Sequence, residues 1–106
     1  MIAGTPDPPY YAVIFSSLRT EGDAGYAEMA DRMWTLAREQ PGFLGAESAR
    51  SGLGITVSYW ISEEAILAWK QNVDHLIAQQ NGREMWYKEY AVRVCRVERA
   101  YHFSAG

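Results

Sequence analysis

The side chains best suited to proton transfer or ligation are two histidines, a lone cysteine and the tyrosines near the C-terminus. His75 lies inside an amphipathic segment, and its imidazole titrates where a general base or a ligand is useful. At 100° per residue it points roughly opposite the Ile66, Trp69, Val73 and Leu76 stripe of that segment. A continuous helix presents it to solvent or to a partner; a break near Asn72 would turn it inward. Tyr87 and Tyr90, with Trp86 beside them, flank the entry to the last strand-like segment. A phenol there can act as an acid or donate to a developing oxyanion; the alternative is amphipathic rings at an interface. Ser16, Thr56 and Ser58 offer hydroxyls to a pocket. No G-x-S-x-G elbow is present and nothing pairs a serine with His75, so a serine nucleophile is not expected. His102 sits on the C-terminal tail, and neither histidine has an H-x-x-x-H or C-x-x-C partner, so no metal site is expected. A G-x-G-x-x-G or P-loop motif is likewise missing, and no nucleotide site is implied.

The elements that must position these groups follow from periodicity. Residues 1–9 hold Pro6, Pro8 and Pro9, which exclude helix and ladder pairing, so a flexible arm is expected ahead of a single domain over 10–103. Tyr10 to Leu18 is β-rich and apolar on both alternating faces, the mark of a strand covered on both sides. Asp23 suits an N-cap, and Tyr26, Met29, Ala30, Met33, Leu36 and Ala37 fall at helical spacing before Pro41-Gly42 ends the run. Phe43 to Arg50 reads as a second strand, Ser51 to Gly54 as a turn. Ile55 to Ile61 alternates, with Thr56, Ser58 and Trp60 on one face. Ser62 caps the next helix, Glu63 to about Gln80, with Ile61 and Ile66 placed as a hydrophobic staple and Asn81-Gly82 as the interruption. Arg83 to Lys88 offers a further turn, and Tyr90 to Tyr101 a last strand with a bulge near Cys95.

This β-α-β-β-α-β order predicts an α+β, ferredoxin-like antiparallel sheet with both helices on one face. The second face is apolar too, and sealing it against a copy of the chain is the simplest solution. Fourteen large rings (four Trp, seven Tyr, three Phe) in 106 residues point the same way, because some must line a pocket or an interface. The net charge is −3 with no basic tract, so nucleic acid is not an expected partner. Arg93, Arg96 and Arg99 read as solvated strand edges and ion pairs. Cys95 cannot form an intrachain disulfide and is expected to be buried and inert. Neither a membrane-length apolar run nor a secretory leader is seen, and a cytoplasmic location is expected.

The pattern resembles the antibiotic biosynthesis monooxygenase (ABM) family. The resemblance rests on Tyr11-Ala12-Val13-Ile14-Phe15, the Gln40-Pro41-Gly42-Phe43-Leu44-Gly45 turn, Ile55 to Trp60, and Ser62 to Lys70, and spans about residues 10–101. It implies a homodimeric α/β barrel in which two sheets pack face to face. It also implies a monooxygenase acting, without cofactor, on a small aromatic or enolisable compound, in a pocket between sheet and helices. In such an enzyme the substrate anion must be stabilised by donors and shielded from water. The roles implied are cleft wall for Trp69, anion or oxygen stabiliser for Asn72 and proton transfer for His75 or Tyr87, with Trp60 and Ser58 behind them. The alternative is that Trp69 is plain core and Asn72 its polar neighbour. The haem-degrading branch of the family implies a helix histidine, a tryptophan and a first-strand asparagine. Trp69 matches the tryptophan, but the first strand offers only Phe15, Ser16 and Ser17, and Gln79 occupies the position suited to the histidine. A non-catalytic dimeric module that binds a small molecule or serves structure is the remaining reading.

Overall fold

The computed structural model describes residues 1–79 and 83–106, and the side chains of residues 1–77 and 85–106. The elements run β1 (Tyr10–Arg19), α1 (Tyr26–Arg38), β2 (Phe43–Arg50), β3 (Gly54–Trp60), α2 (Glu63–Gln79), the single turn α3 (Arg83–Trp86) and β4 (Tyr87–Val97). The strands form one antiparallel sheet in the order β2-β3-β1-β4. This is the ferredoxin-like α+β arrangement that the alternating pattern predicts. The break proposed at Asn81-Gly82 lies outside the described residues.

Strand register sorts the side chains into two faces, because residues directly opposite one another share a face. One face carries four rows across the sheet: Arg50–Gly54–Ser17–Tyr90, Ser48–Thr56–Phe15–Val92, Ala46–Ser58–Val13–Val94, and Phe43–Trp60–Tyr11–Arg96. The helices lie on this inner face: the Trp69 ring of α2 stacks on Trp60, and the Tyr26 ring of α1 meets Tyr87. Between the helices Met29, Leu76 and Trp86 form a buried cluster, flanked by Met33 and Leu36. Met29, Met33, Leu36 and Leu76 are residues that the 3.6-residue spacing of α1 and α2 places on one side, and α3 adds Trp86.

The outer face carries Ala12, Ile14 and Ser16 of β1 beside Tyr59, Val57 and Ile55 of β3. The N-terminal arm has no regular structure and lies along one end of this face. The Ala3 amide donates to a Glu47 carboxylate oxygen at 3.0 Å, and the Tyr59 hydroxyl donates to the other at 2.6 Å. Those two bonds hold the Glu47 carboxyl below its usual range, while burial and the Glu47 charge push Tyr59 up to about 12.

Several local details differ from the sequence reading. The N-cap of α1 is Gly25 in the left-handed region; Asp23, two residues earlier, still accepts from the Gly25 and Ala27 amides. Ser62 does cap α2, accepting from the Ala65 amide. The last strand ends at Val97, and its irregularity falls at the Leu18/Arg19 level rather than at Cys95. The apparent slip in its apolar pattern arises because β4 is an edge strand whose two faces are both largely open. The same openness leaves Cys95 exposed, correcting the expectation of a buried thiol. A further irregularity at Phe43/Gly45 brings Phe43 onto the inner face, where its ring meets Trp60.

Candidate functional site

Two ends of the inner face differ in chemistry. At one end Trp60 is wholly buried; its ring stacks on Trp69 at 6.1 Å and meets Phe43 edge-on at 5.2 Å. Its indole N–H donates to the Ser58 hydroxyl at 2.9 Å. The structure thus gathers three of the residues singled out from sequence, Trp60, Trp69 and Ser58, into one packed unit. Asn72 and His75 stand apart from it. Asn72 is exposed, and its amide donates to Gln40 at the end of α1 and to the Ala68 carbonyl. His75 is exposed on α2, in line with its position opposite the apolar stripe.

At the other end the rings of Phe15, Tyr87 and Tyr90 meet within 5.4–5.5 Å, and Tyr26 closes on Tyr87 at 5.8 Å. Burial and hydrogen bonding with Tyr26 push the Tyr87 phenol far above its ordinary range, so it is neutral and able to donate at physiological pH. The nearby Arg19 and Arg50 charges pull it the other way without prevailing. Arg19 lies 3.5 Å over the Tyr26 ring and is held by the Trp86 carbonyl at 2.9 Å. The Trp86 indole in turn donates to the Ala24 carbonyl, tying α3 to the loop after β1.

The third component is Ser17, only 1% exposed. Its hydroxyl accepts from Arg50 at 2.6 Å, and its carbonyl accepts from the same guanidinium at 3.3 Å. Arg50 lies over Gly54, where any side chain would overlap it. Sequence reasoning passed over Ser17, Arg50, Arg19 and Phe15 as site residues. The one local signal was Ser17 itself, a hydroxyl at an inward position of an otherwise apolar strand. Arg50 carried none, since a charged residue next to a hairpin turn ordinarily points to water.

Between the two ends the inner face opens at the sheet edge, where Val92 and Val94 are 53% and 49% exposed although they face the helix side. A separate open concavity of about 290 Å³, lined by Asp31, Trp34, Thr35 and Arg38, sits on α1 and holds none of these groups. Among the described residues no three His, Cys, Asp or Glu side chains converge as a metal centre. A haem between sheet and helices finds no imidazole there, since His75 faces solvent and β1 turns Phe15 and Ser17 inward. These residues do not fit the group; the Gln79 side chain lies outside the described residues.

The sequence matches the family model described as "Antibiotic biosynthesis monooxygenase" over residues 9–81. The chain belongs to the ABM family. A relative, the "Uncharacterized protein YqjZ" of Bacillus subtilis (strain 168), is 56% identical over 100 residues, covering 92% of this chain and 88% of its own. The ABM fold is also that of solved structures of low identity. A variant of SnoaB, a cofactor-independent oxygenase from Streptomyces nogalater, superposes with a TM-score of 0.72 at 9% identity, over 88% of this chain and 97% of its own. The NE2512 protein of unknown function from Nitrosomonas europaea gives 0.70 at 12%, over 95% and 100%. No described helix is long and apolar enough to cross a membrane.

Proposed function

We propose that this chain is an ABM-type monooxygenase that oxidises a small aromatic or enolisable compound with molecular oxygen, without a bound cofactor, and that it acts as a homodimer. The observation that carries the reading is the aromatic cluster of Phe15, Tyr87 and Tyr90 on the inner face, which reaches the exposed sheet edge at Val92 and Val94 and sets a neutral phenol beside an arginine. The fold likeness to a cofactor-independent oxygenase supports it. So does the outer face, where Leu18 and Ile55 remain 37% and 40% exposed in the single chain and would be sealed by a second copy.

In this reading a conjugated CH2 of the substrate becomes C=O while O2 supplies that oxygen and one water. The substrate itself provides all four electrons. Its enol loses a proton to solvent water, the carbanion passes one electron to O2, the two radicals join in a C–O bond, and the peroxide oxygen takes a proton back from solvent. The hydroperoxide then loses water. The inner face of the sheet presents neither carboxylate nor imidazole. It therefore suits a substrate acidic enough to bind as its anion, with Tyr87 donating to the oxyanion. Trp69, Trp60 and Ser58 pack the far end. The donor role is assigned to Tyr87 over the exposed His75, and Asn72 holds α2 to the end of α1.

The test is oxygen uptake with an anthrone, an enolisable aromatic ketone. One O2 consumed per anthrone, with anthraquinone as product and no hydrogen peroxide, is the expected outcome. No rate above buffer for anthrones, quinols and flavonols alike would remove the oxygenase reading.

A further inference from the structure

Arg50 and Ser17 belong to different strands and meet only through the register that sets Arg50, Gly54, Ser17 and Tyr90 in one row. Of the five N–H groups of a guanidinium, Arg50 spends two on the Ser17 hydroxyl and carbonyl. The other three have no partner among the described residues, and no carboxylate there pairs with Arg50 or with Arg19. In a chain of net charge −3, two guanidinia with no carboxylate partner among the described residues, beside an aromatic cluster, are a local reversal of sign. The buried Ser17 fixes the orientation of Arg50, and Gly54 leaves the space in which it lies. A planar fork held at one end, with donors to spare, is the geometry that takes a carboxylate with two parallel bonds. The half-buried rings of Phe15 and Tyr90, 5.4 Å apart, lie in the neighbouring rows, and rings of this kind pack against a planar aromatic.

We propose that this row is an anion-binding pole that seats the carboxylate of a planar aromatic acid, with the ring lying against Phe15 and Tyr90. The assignment of that acid as substrate class rests on the oxygenase reading; the binding itself does not. The probes are 2-naphthoate and 2-naphthamide, which share a ring system and differ in charge. Binding to the full chain is measured by calorimetry at low and high salt.

Naphthoate is expected to bind at least about tenfold more tightly than the amide, as a charge-assisted pair warrants. High salt should erode that preference, and Arg50→Gln should abolish it. Arg50→Lys, which keeps the charge and loses the fork, should fall between. Equal affinities for the two probes in the unaltered protein overturn the proposal, a comparison that needs no variant to fold. So does undetectable naphthoate binding, or a naphthoate preference that survives Arg50→Gln. If naphthoate binds through Arg50 while no anthrone or quinol is ever oxidised, the pole stands and the oxygenase reading falls.

Discussion

Substituting Gly54 by alanine separates the Arg50–Ser17 contact from the rest of the fold. A Cβ at position 54 would stand 2.6 Å from Nε of Arg50 and overlap the other guanidinium atoms, whereas ordinary contact begins at 3.4 Å. The guanidinium must retreat by roughly 1 Å, which the 2.6 Å bond to Ser17 does not survive. The almost wholly buried Ser17 hydroxyl then loses its partner, at a cost of about 1–3 kcal/mol. Against this, alanine restricts the unfolded chain more than glycine does and contributes about 0.4–1 kcal/mol, since the backbone at Gly54 is outside the left-handed region. The net is a loss of about 1–2 kcal/mol, a Tm lower by roughly 5–10 °C. In an Arg50→Gln background the overlap is gone and the same substitution should raise Tm by a few degrees. Thermal melts of the four proteins in this double-mutant cycle read the outcome directly. A Gly54→Ala effect of the same sign in both backgrounds would refute the reasoning, because the guanidinium would then not be held where it is described.

Tyr87→Phe removes the donor assigned to the oxyanion and is expected to lower kcat about 100-fold in the anthrone assay, while Asn72→Ala leaves kcat and Tm nearly unchanged. Trp60→Ala empties a fully buried site and should cost about 3–5 kcal/mol in urea denaturation, as a packing residue would. Glu47 has a depressed pKa in the folded state, so its stabilising contribution is complete above the ordinary carboxyl range and lost as pH falls through the lowered value. Tyr59 has a raised one, so its contribution is complete below its ordinary value of 10.0 and lost as pH rises through about 12. The Tm difference between the unaltered protein and Glu47→Gln should accordingly be widest near neutrality and narrow in acid. Titration with hemin followed by ascorbate should leave the Soret band unsharpened and unbleached, because no inward imidazole is available.

Much of the fold was legible because its signals are local. The stripes of α1 and α2 and the alternation of Thr56, Ser58 and Trp60 follow from helical and strand periods, and burial then enforces them. The limits of β4 were not legible, since an exposed edge strand tolerates apolar and polar residues on either face. The spatial grouping of the singled-out residues was legible in part. Ser58, Trp60 and Trp69 could be grouped because two share a strand face and the third lies on the helix that follows. The Arg50–Ser17 pair could not, because its partners are 33 residues apart in the chain and join across β3. Register of that kind is a property of the assembled sheet. The placement of Asn72 was not legible either, because its partner Gln40 is 32 residues away and meets it only when α2 packs beside the end of α1.

The inner face is divided lengthwise. Ser48, Thr56, Ser58 and Ser17 set aliphatic hydroxyls on β2, β3 and β1, while the edge strand β4 presents Val92, Val94 and Tyr90. β4 has one neighbour in the ladder, so a valine there can change bulk without disturbing a second strand. Bulk at the open edge can consequently change at Val92 and Val94 while Ser17, Arg50 and Tyr87 keep their places. A lineage of such proteins could drift from one molecule to a larger or smaller one through two edge positions, keeping Tyr87, Ser17 and Arg50 untouched.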